Sequence, residues 1–220
     1  MENVKIVVAR CNEDITWLNP IMENCIIFNK GKKLKIKNEI QLPNVGRESH
    51  TYLHYIINNY ETLPEIVVFV QGRISDHIPN HQHKQDPNAD PMAYIKKLIG
   101  DAKQNGKSKV NGMYNYKTRQ GNPAYAPEWN KDYRQNYNKR MKPYYKWYHE
   151  MEGFDCKKYN MEPITFINWF KKNIDANYPN PIMVYGAALF AIRRDYILKR
   201  PKEDYERLIK EVDYDITACS

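Results

Sequence analysis

The fold is decided by the stretch Glu65-Ile66-Val67-Val68-Phe69-Val70-Gln71-Gly72-Arg73-Ile74-Ser75-Asp76-His77. Its five consecutive apolar residues, Ile66 to Val70, end in polar turn residues, which is typical of a strand buried on both faces. Strands of this kind form the parallel sheets of α/β proteins, and ligands bind at the carboxyl ends of such strands. The stretch therefore predicts an α/β sheet with Asp76 and His77 at its ligand-binding edge.

Segments that precede this strand predict the same kind of sheet. Val4–Ala9 and Asn24–Asn29 are apolar runs that predict two more strands, and a short helical pattern that Pro20 ends lies between them. From Glu48 to Tyr60, apolar side chains recur at helical spacing. The order β-α-β-α-β predicts parallel strands joined by right-handed crossovers. We therefore expect an α/β fold with a central, mostly parallel sheet flanked by helices.

The second half of the sequence is less regular. Its predicted elements are a loop over 78–92, a helix over Met92–Ile99, a long insertion over 100–147, a helix over Glu162–Asn173, a last strand region over Ile182–Ile192, and a terminal helix over Arg194–Val212 that contains Pro201 or is divided by it. Long segments without regular structure inside a compact domain are usually functional. Since 220 residues suit one domain of this type, we expect a single domain over 1–220.

The composition is that of a globular protein. Hydrophobic residues make up 42% of the chain, and no apolar run approaches the roughly 20 residues that span a bilayer. The N-terminus lacks the pattern of a signal peptide, so we expect a cytoplasmic protein without a membrane span. The cysteines are far apart in sequence and form no C-x-x-C spacing, which predicts unpaired thiols at Cys11, Cys25, Cys156 and Cys219.

The charge and the aromatic content indicate the kind of partner. A net charge of +8 favours an anionic partner, such as nucleic acid, a phosphorylated ligand or an acidic membrane surface. The charge alone does not choose among these. The chain also has 18 tyrosines and four tryptophans, whose aromatic faces bind both nucleobases and sugar rings.

Asp76 and His77 are the first candidates for chemistry. A carboxylate and an imidazole at the end of a strand can hold Mg²⁺ or Mn²⁺ against a diphosphate. The alternative is that Asp76 caps a turn and His77 is a surface residue. A site built from His77, His81 and His83 is a further possibility, but the spacing of these histidines fits no standard zinc pattern.

Two other segments are candidates for binding an anion. The first is the turn after the first strand, where Arg10 could pair with a phosphate through its fork geometry. The chain has neither G-x-G-x-x-G nor a P-loop motif, and Asn12 or Asp14 could instead cap the following helix. The second is the helix start after Gly46, where backbone N–H groups and the Arg47 guanidinium come together.

Two histidines and a basic tract leave several interpretations open. His50 and His54 lie one helical turn apart and could bind a metal, although packing against tyrosines is the more common role for such residues. The tract Lys131–Trp147 contains six Lys or Arg, four Tyr and one acid. It could form a groove for single-stranded nucleic acid, a platform for an acceptor sugar, or a solvated insertion anchored by its tyrosines.

Several motifs together resemble a known family of domains. They are Ile6-Val7-Val8-Ala9-Arg10-x-Asn12-Glu13-Asp14-x-x-Trp17-Leu18, Phe28-Asn29-Lys30-Gly31, Leu42-Pro43-Asn44-Val45-Gly46-Arg47-Glu48-x-His50-Thr51-Tyr52-Leu53 and Phe69-Val70-Gln71-Gly72, with the later segments Tyr185–Arg194 and Arg200-Pro201. The chain resembles domains of uncharacterised function from fungi, algae and large DNA viruses, and among them a glycosyltransferase domain of the GT-A type. The similarity is dense over residues 4–77 and loose over 185–208.

The resemblance implies a GT-A glycosyltransferase with one Rossmann-like α/β domain. Such an enzyme moves a sugar from a nucleotide-sugar, here a UDP-sugar, to a glycan or glycoprotein acceptor, as in the glycosylation of viral capsids. Its cofactor would be Mn²⁺ or Mg²⁺. The nucleotide-binding half would be 1–77, and the acceptor half would be 78–220 with the insertion over 100–147. Nucleic acid is not the partner that this family implies.

The resemblance also implies roles for particular residues. GT-A enzymes carry an Asp-x-Asp pair after a central strand, but this chain has Gln71-Gly72-Arg73 there. Either Asp76 with His77 replaces the pair as metal ligands, or the metal dependence is weaker. The predicted nucleotide contacts are Ala9, Arg10, Asn12, Lys30, Arg47, Gln71 and Gly72. The carboxylates that could act catalytically are Asp76, Asp155, Glu162 and Asp195, the last three as bases in an inverting reaction; a retaining enzyme would need no such base.

Two other functions remain as alternatives to this one. The tract Lys131–Trp147 suits a domain that binds single-stranded nucleic acid. Asp76, His77, His81 and His83 could form the centre of a divalent-metal phosphoesterase.

Overall fold

The structure is a computed structural model that describes residues 2–75, 77–78, 89–108, 171–177 and 188–213. The chain forms two compact units, one made of Met1–Gly112 with Tyr185–Ser220 and the other of Met113–Val184. In the second unit, residues 171–173 are helical, and they fall within the helix predicted over Glu162–Asn173. Every strand and helix named below belongs to the first unit.

Five strands form one sheet. They are β1 (Val4–Arg10), β2 (Cys25–Asn29), β3 (Glu39–Gln41), β4 (Ile66–Gln71) and β5 (Phe190–Arg193). Their order across the sheet is β3-β2-β1-β4-β5. The pairs β1–β2, β1–β4 and β2–β3 are parallel, and β5 runs antiparallel to β4. The predicted α/β class and the mostly parallel sheet are confirmed.

The described helices begin and end at residues that explain their bounds. They are α1 (Arg47–Asn59), α2 (Pro91–Asn105), α3 (Arg194–Ile197) and α4 (Lys202–Lys210), with 3-10 helices at Thr16–Asn24 and Tyr60–Thr62. Helix α2 begins where the Asp90 side chain accepts a hydrogen bond of 2.8 Å from the backbone N–H of Met92. It ends at Gly106, whose φ of 79° is accessible to glycine at little cost.

The sheet separates two hydrophobic cores because neighbouring side chains of a strand point to opposite faces. On one face, β1 and β4 pack against α2 and the Thr16–Asn24 helix through Ile6, Val8, Val68, Val70, Leu18, Ile95 and Leu98. On the other face, the same strands pack against α1 and α4 through Val7, Val67, Phe69, Tyr52, Tyr55, Ile56 and Tyr205. The apolar residues of β4 have no exposed surface, as expected for a strand covered on both sides.

The structure differs from the predicted elements in a few places. Pro20 lies inside the Thr16–Asn24 helix, not at its end, because a 3-10 helix is built from short turns in which one missing N–H is tolerated. Helix α2 continues to Asn105, six residues beyond its predicted end. Pro201 divides α3 from α4, which was one of the two possibilities. Within the described ranges, no helix has the length and apolar content needed to cross a bilayer.

Candidate functional site

The candidate site lies at the carboxyl edge, by which we mean residues 9–14, 29–31 and 71–75 at the carboxyl ends of β1, β2 and β4, together with the start of α1. Ala9 is level with both Phe28 and Gln71 in the sheet. The N–H of Gly72 donates to the carbonyl of Ala9 at 2.9 Å, and the N–H of Lys30 donates to the carbonyl of Arg10 at 2.8 Å. The strand order turns at this point, since β2 lies on one side of β1 and β4 on the other. Such a switch in direction leaves a crevice at the carboxyl ends, which is the usual ligand site of an open α/β sheet.

Asn29 is the polar centre of this edge and is completely buried. Its Oδ1 accepts from the Arg10 guanidinium at 2.9 Å and from the N–H of Gly31 at 3.0 Å. Its Nδ2 donates to the carbonyl of Lys32 at 2.8 Å and to the carboxylate of Glu39. Through one amide group, Asn29 thus joins the carboxyl ends of β1 and β2 to Glu39, the first residue of β3.

The Arg10 guanidinium holds the loops and faces the protein. Arg10 is 7% exposed. Besides Asn29, it donates to the carbonyls of Glu13 at 2.9 Å, Cys11 at 3.0 Å and Lys32 at 3.1 Å. These bonds fix the turn after β1 against the turn after β2, so Arg10 positions the edge through its neighbours.

Glu39 closes the loop between β2 and β3. Its carboxylate accepts from the backbone N–H of Leu34 at 3.0 Å and of Lys35 at 2.9 Å, besides Asn29. The hydrogen bond from Asn29, followed by the backbone bonds, lowers the pKa of Glu39 below its ordinary value. Glu39 therefore stays ionised at neutral pH and anchors this loop.

Two glycines allow the loops of the edge to approach closely. A Cβ atom at Gly31 would overlap the carbonyl oxygen of Cys11, so only glycine fits there. A Cβ atom at Gly72 would lie 2.8 Å from the Glu13 carboxylate. The carbonyl of Gly72 also accepts a bond of 2.8 Å from the indole N–H of Trp17. The loops after β1, β2 and β4 are thus packed against one another at van der Waals distance.

Lys30 connects the end of β2 to the start of α1. Its ammonium group donates to the backbone carbonyls of Val45 and Arg47. Burial lowers the pKa of Lys30 to about 8, although the carboxylates of Glu48 and Asp213 act in the opposite direction. Lys30 thus places a positive charge beside the first turn of α1, where the N–H groups of the helix also attract anions.

His50 and His54 follow on the same side of α1. Their rings stack with centroids 6.1 Å apart, and the His54 ring meets Phe28 edge-on at 5.5 Å. Burial lowers the pKa of His50 to about 4, and the positive charge of Lys30 adds to this effect. Burial also lowers the pKa of His54. Both imidazoles are neutral at pH 7. Packing against tyrosines was the role expected from the sequence, but the rings that His54 contacts are those of Phe28 and His50.

The structure brings the predicted nucleotide contacts together. The seven are Ala9, Arg10, Asn12, Lys30, Arg47, Gln71 and Gly72, and all of them lie at the carboxyl edge. The side-chain oxygen of Asn12 accepts from the backbone N–H of Lys32 at 2.9 Å, so Asn12 links two loops. Asp14 accepts from the backbone N–H and the hydroxyl of Thr16, each at 2.9 Å, while the N-cap residue of the following 3-10 helix is Ile15, which makes no side-chain cap hydrogen bond.

Of the two predicted metal ligands Asp76 and His77, only His77 lies within the described residues. Its backbone N–H donates to the carbonyl of Ile74 at 2.9 Å in the turn after β4. Apart from Asp195, the other residues predicted for metal binding or catalysis beyond β4 lie outside the described residues: Asp76, His81, His83, Asp155 and Glu162. The tract Lys131–Trp147 also lies outside them.

Asp195 lies at the other edge of the sheet. Because β5 is antiparallel to β4, Arg193 is level with Ile66, the first residue of β4. The Asp195 carboxylate accepts two bonds from the Arg193 guanidinium, at 2.8 and 2.7 Å. These hydrogen bonds and the positive charge of Arg193 lower the pKa of Asp195. The structure therefore does not bring Asp195 together with the residues of the carboxyl edge.

Two of the four cysteines, Cys11 after β1 and Cys25 at the start of β2, lie within the described residues. Cys11 is disulfide-bonded, so the prediction of four unpaired thiols is wrong at this position: distance along a sequence does not exclude closeness in space. Cys25 is a buried free thiol, and burial raises its pKa to about 12.

Across the part of the chain that the structure describes, no three side chains of His, Cys, Asp or Glu form a group that could hold a metal ion.

Several residues of the edge were not predicted as functional. Asn29, Gly31 and Trp17 are predicted only as parts of motifs, and no sequence pattern singles out Glu39 or Gln41. The amide of Gln41 donates to the carbonyl of Asn29 at 2.8 Å and thus extends the same network. An asparagine at the end of an apolar strand, followed directly by Lys-Gly, is the signal that could have indicated this centre.

The fold and its edge define an α/β protein with a network of polar loops at the carboxyl ends of its parallel strands. A family model described as "Protein of unknown function (DUF3431)" matches residues 6–214, and the chain belongs to this family. This agrees with the coarser part of the resemblance, which pointed to domains of uncharacterised function. No curated protein and no solved structure matches the chain.

Proposed function

We propose that the protein is a glycosyltransferase of the GT-A type that uses a nucleotide-sugar, with the nucleotide diphosphate bound at the carboxyl edge. The observation that carries this proposal is the switch in strand order between β1 and β4, and the seven residues that the resemblance implies as nucleotide contacts lie at that one edge. Open α/β sheets bind nucleotides at such a position. A UDP-sugar as the donor and a glycan or glycoprotein as the acceptor belong to the same proposal.

The cationic groups near α1 would receive the diphosphate. The Arg47 guanidinium can donate two parallel hydrogen bonds to phosphate oxygens, and the first N–H groups of α1 point toward the same region. The Lys30 ammonium, fixed by the carbonyls of Val45 and Arg47, adds positive charge to this region. These groups stabilise the negative charge that develops on the leaving diphosphate.

In the proposed reaction, the bond between the anomeric carbon and the phosphate oxygen breaks, and the electron pair stays on the nucleoside diphosphate. A hydroxyl oxygen of the acceptor then forms the new glycosidic bond. Its proton goes to a carboxylate base in an inverting reaction. Among the three carboxylates considered for this step, Asp195 is at the opposite edge of the sheet and is not part of the proposal.

Mn²⁺ or Mg²⁺ remains part of the proposal through Asp76 and His77. The structure describes His77, in the turn after β4, and the Glu13 carboxylate, which lies beside Gly72 of that turn. That carboxylate already accepts a bond of 2.6 Å from the backbone N–H of Cys11. These two groups alone do not make a set of ligands for a hard divalent cation, which prefers several oxygens. No step above depends on the metal.

A screen of nucleotide-sugars by thermal unfolding tests the proposal. The unfolding temperature should rise with one nucleotide-sugar and its diphosphate, because a ligand that binds only the folded state stabilises it. Slow hydrolysis of the same donor should be detectable in the absence of acceptor. Repeating both measurements with Mn²⁺, on the wild type and on Asp76→Ala, tests the metal separately. No stabilisation by any nucleotide-sugar would contradict the proposal.

A further inference from the structure

A second feature of the molecule is the basic loop, Lys32–Lys37, which lies between β2 and β3. Residues 32–41 contain four lysines and one glutamate. All four lysine side chains are exposed: Lys32, Lys33, Lys35 and Lys37. Ile36 is 37% exposed and Ile40 is 41% exposed, and they are two of the three large apolar side chains that stand exposed in the described ranges.

The basic loop is held in a defined conformation. The Glu39 carboxylate accepts from the backbone N–H groups of Leu34 and Lys35, and the N–H of Glu39 donates to the carbonyl of Ile36 at 3.3 Å. The Leu34 side chain packs against the core on one face of the sheet. Lys35 has a φ of 61°, a left-handed conformation that costs energy for a residue with a Cβ atom. The hydrogen bonds of Glu39 and the packing of Leu34 therefore hold Ile36 in its exposed position.

The lysines of the basic loop carry uncompensated charge. In the part of the chain that the structure describes, no carboxylate pairs with any of their ammonium groups. The one nearby carboxylate, Glu39, is occupied by the backbone of the loop and by Asn29. Four exposed lysines in the loop and the exposed aliphatic side chains of Ile36 and Ile40 suit an anionic interface with an apolar layer beneath it.

We propose that the basic loop is a docking surface for an anionic lipid membrane. The lysine ammonium groups would lie among the acidic headgroups, and Ile36 and Ile40 would enter the boundary between headgroups and acyl chains. A nucleic acid suits the surface less well, because the exposed apolar groups are aliphatic and offer no ring for stacking. An acidic peptide that adds a strand to the sheet is disfavoured by the length of β3, which has three residues.

The basic loop is also connected to the carboxyl edge. The carbonyl of Lys32 accepts from Arg10 and Asn29, and its N–H donates to Asn12. Docking through the loop would hold the candidate site close to the lipid surface. The docking proposal does not depend on the proposed function, because it rests on the charge and the exposure of the loop.

Vesicle sedimentation with the full 220-residue chain tests the docking proposal. The protein should bind vesicles that contain phosphatidylserine, should bind neutral phosphatidylcholine vesicles far less, and should be released as the salt concentration rises. The triple variant Lys33→Gln, Lys35→Gln and Lys37→Gln should bind the acidic vesicles roughly a hundredfold more weakly. Ile36→Asn, which leaves the charge unchanged, should weaken binding about threefold or more.

Matched variants elsewhere on the surface serve as controls. Lys96→Gln, Lys103→Gln and Lys210→Gln remove the same charge from three scattered, exposed lysines, and Leu198→Asn removes the third exposed apolar side chain. These variants should retain most of the vesicle binding. Equal losses in both triple variants would overturn the proposal, since binding would then follow net charge alone. Binding of an oligonucleotide or an acidic peptide through the basic loop, without binding of vesicles, would overturn it as well.

Discussion

Asn29 shows how much of the carboxyl edge depends on single buried polar side chains. Its amide joins Arg10, Gly31, Lys32 and Glu39, and it has no exposed surface. Asn29→Ala would leave a buried guanidinium and several backbone groups without this partner. We expect the variant to lose about 2–4 kcal/mol of unfolding free energy in urea titrations, because unsatisfied buried groups keep their full desolvation cost.

Asn38→Ala is the matched control for this substitution. The half-buried side chain of Asn38 donates one hydrogen bond of 2.8 Å, to the carbonyl of Met22. Its removal should cost about 1 kcal/mol. If the two variants were equally stable, the network around Asn29 would not hold the edge together.

His50 makes the stability of the fold depend on pH. Its folded-state pKa of about 4 lies below the ordinary value of 6.5, so the unfolded state binds more protons between these two pH values. The free energy of unfolding should therefore fall as the pH drops through this window, by about 3 kcal/mol from this residue alone. His50→Gln should make the stability less sensitive to pH over the same range.

An NMR titration of the imidazole protons measures the pKa of His50 directly. The ring should stay neutral down to about pH 5. In His54→Gln, the pKa of His50 should remain low, because burial is its main cause and His54 contributes little. A midpoint for His50 near 6.5 would contradict this explanation.

Individual side chains were also where the sequence was least informative. Arg10 was predicted as a phosphate ligand because its fork geometry suits one, yet its guanidinium binds four acceptors of the protein itself. Nothing in the local sequence shows which acceptors will surround an arginine, since Asn29 and Lys32 come from another turn. Six of the seven contact residues could be placed because they lie at or just after strand ends, and Arg47 could be placed because it begins the helix after Gly46.

At the scale of the elements, two glycines should respond in opposite ways to the same substitution. A Cβ atom at Gly31 would overlap the backbone of Cys11, whereas Gly100 lies within α2 with no atom within 4 Å of an added Cβ. Gly31→Ala should destabilise the protein by about 2 kcal/mol or more, because two loops must separate. Gly100→Ala should stabilise it by about 0.5–1 kcal/mol, the difference in helix propensity.

Thermal unfolding of the two glycine variants and the wild type, followed by circular dichroism, checks these expectations. Gly100→Ala acts as the control, since it adds the same methyl group. A neutral effect of Gly31→Ala would mean that the turns after β1 and β2 are not in close contact.

The elements that the sequence predicted well are those with long apolar patterns. β1, β2 and β4 carry runs of apolar residues, and α1 carries apolar residues at helical spacing. The bounds of all four elements agree with the predictions within one residue. β3 was missed because three residues with one apolar side chain give no pattern. The antiparallel direction of β5 was also invisible, since an apolar run does not show which way a strand points. For that reason Asp195 was expected among the catalytic residues, although it lies at the opposite edge.

At the scale of the whole molecule, stability should be distributed from the middle of the sheet outward. The apolar residues of β4 have no exposed surface, whereas Ile40 in the edge strand β3 is 41% exposed. Hydrogen exchange followed by mass spectrometry should therefore show the slowest exchange in β1 and β4 and much faster exchange in β3. Equal protection of β3 and β4 would contradict the sheet order.

The central claim is that the carboxyl edge binds the diphosphate of a nucleotide-sugar. Calorimetric titration of UDP into the wild type, Arg47→Ala and Arg193→Ala tests it most directly, because both variants lose one guanidinium and Arg193 lies at the opposite edge. We expect Arg47→Ala to weaken binding by about 1.5–3 kcal/mol, the range for hydrogen bonds to charged groups, and Arg193→Ala to leave it unchanged. Equal affinity of UDP for the wild type and Arg47→Ala, or a larger loss in Arg193→Ala, would contradict the claim.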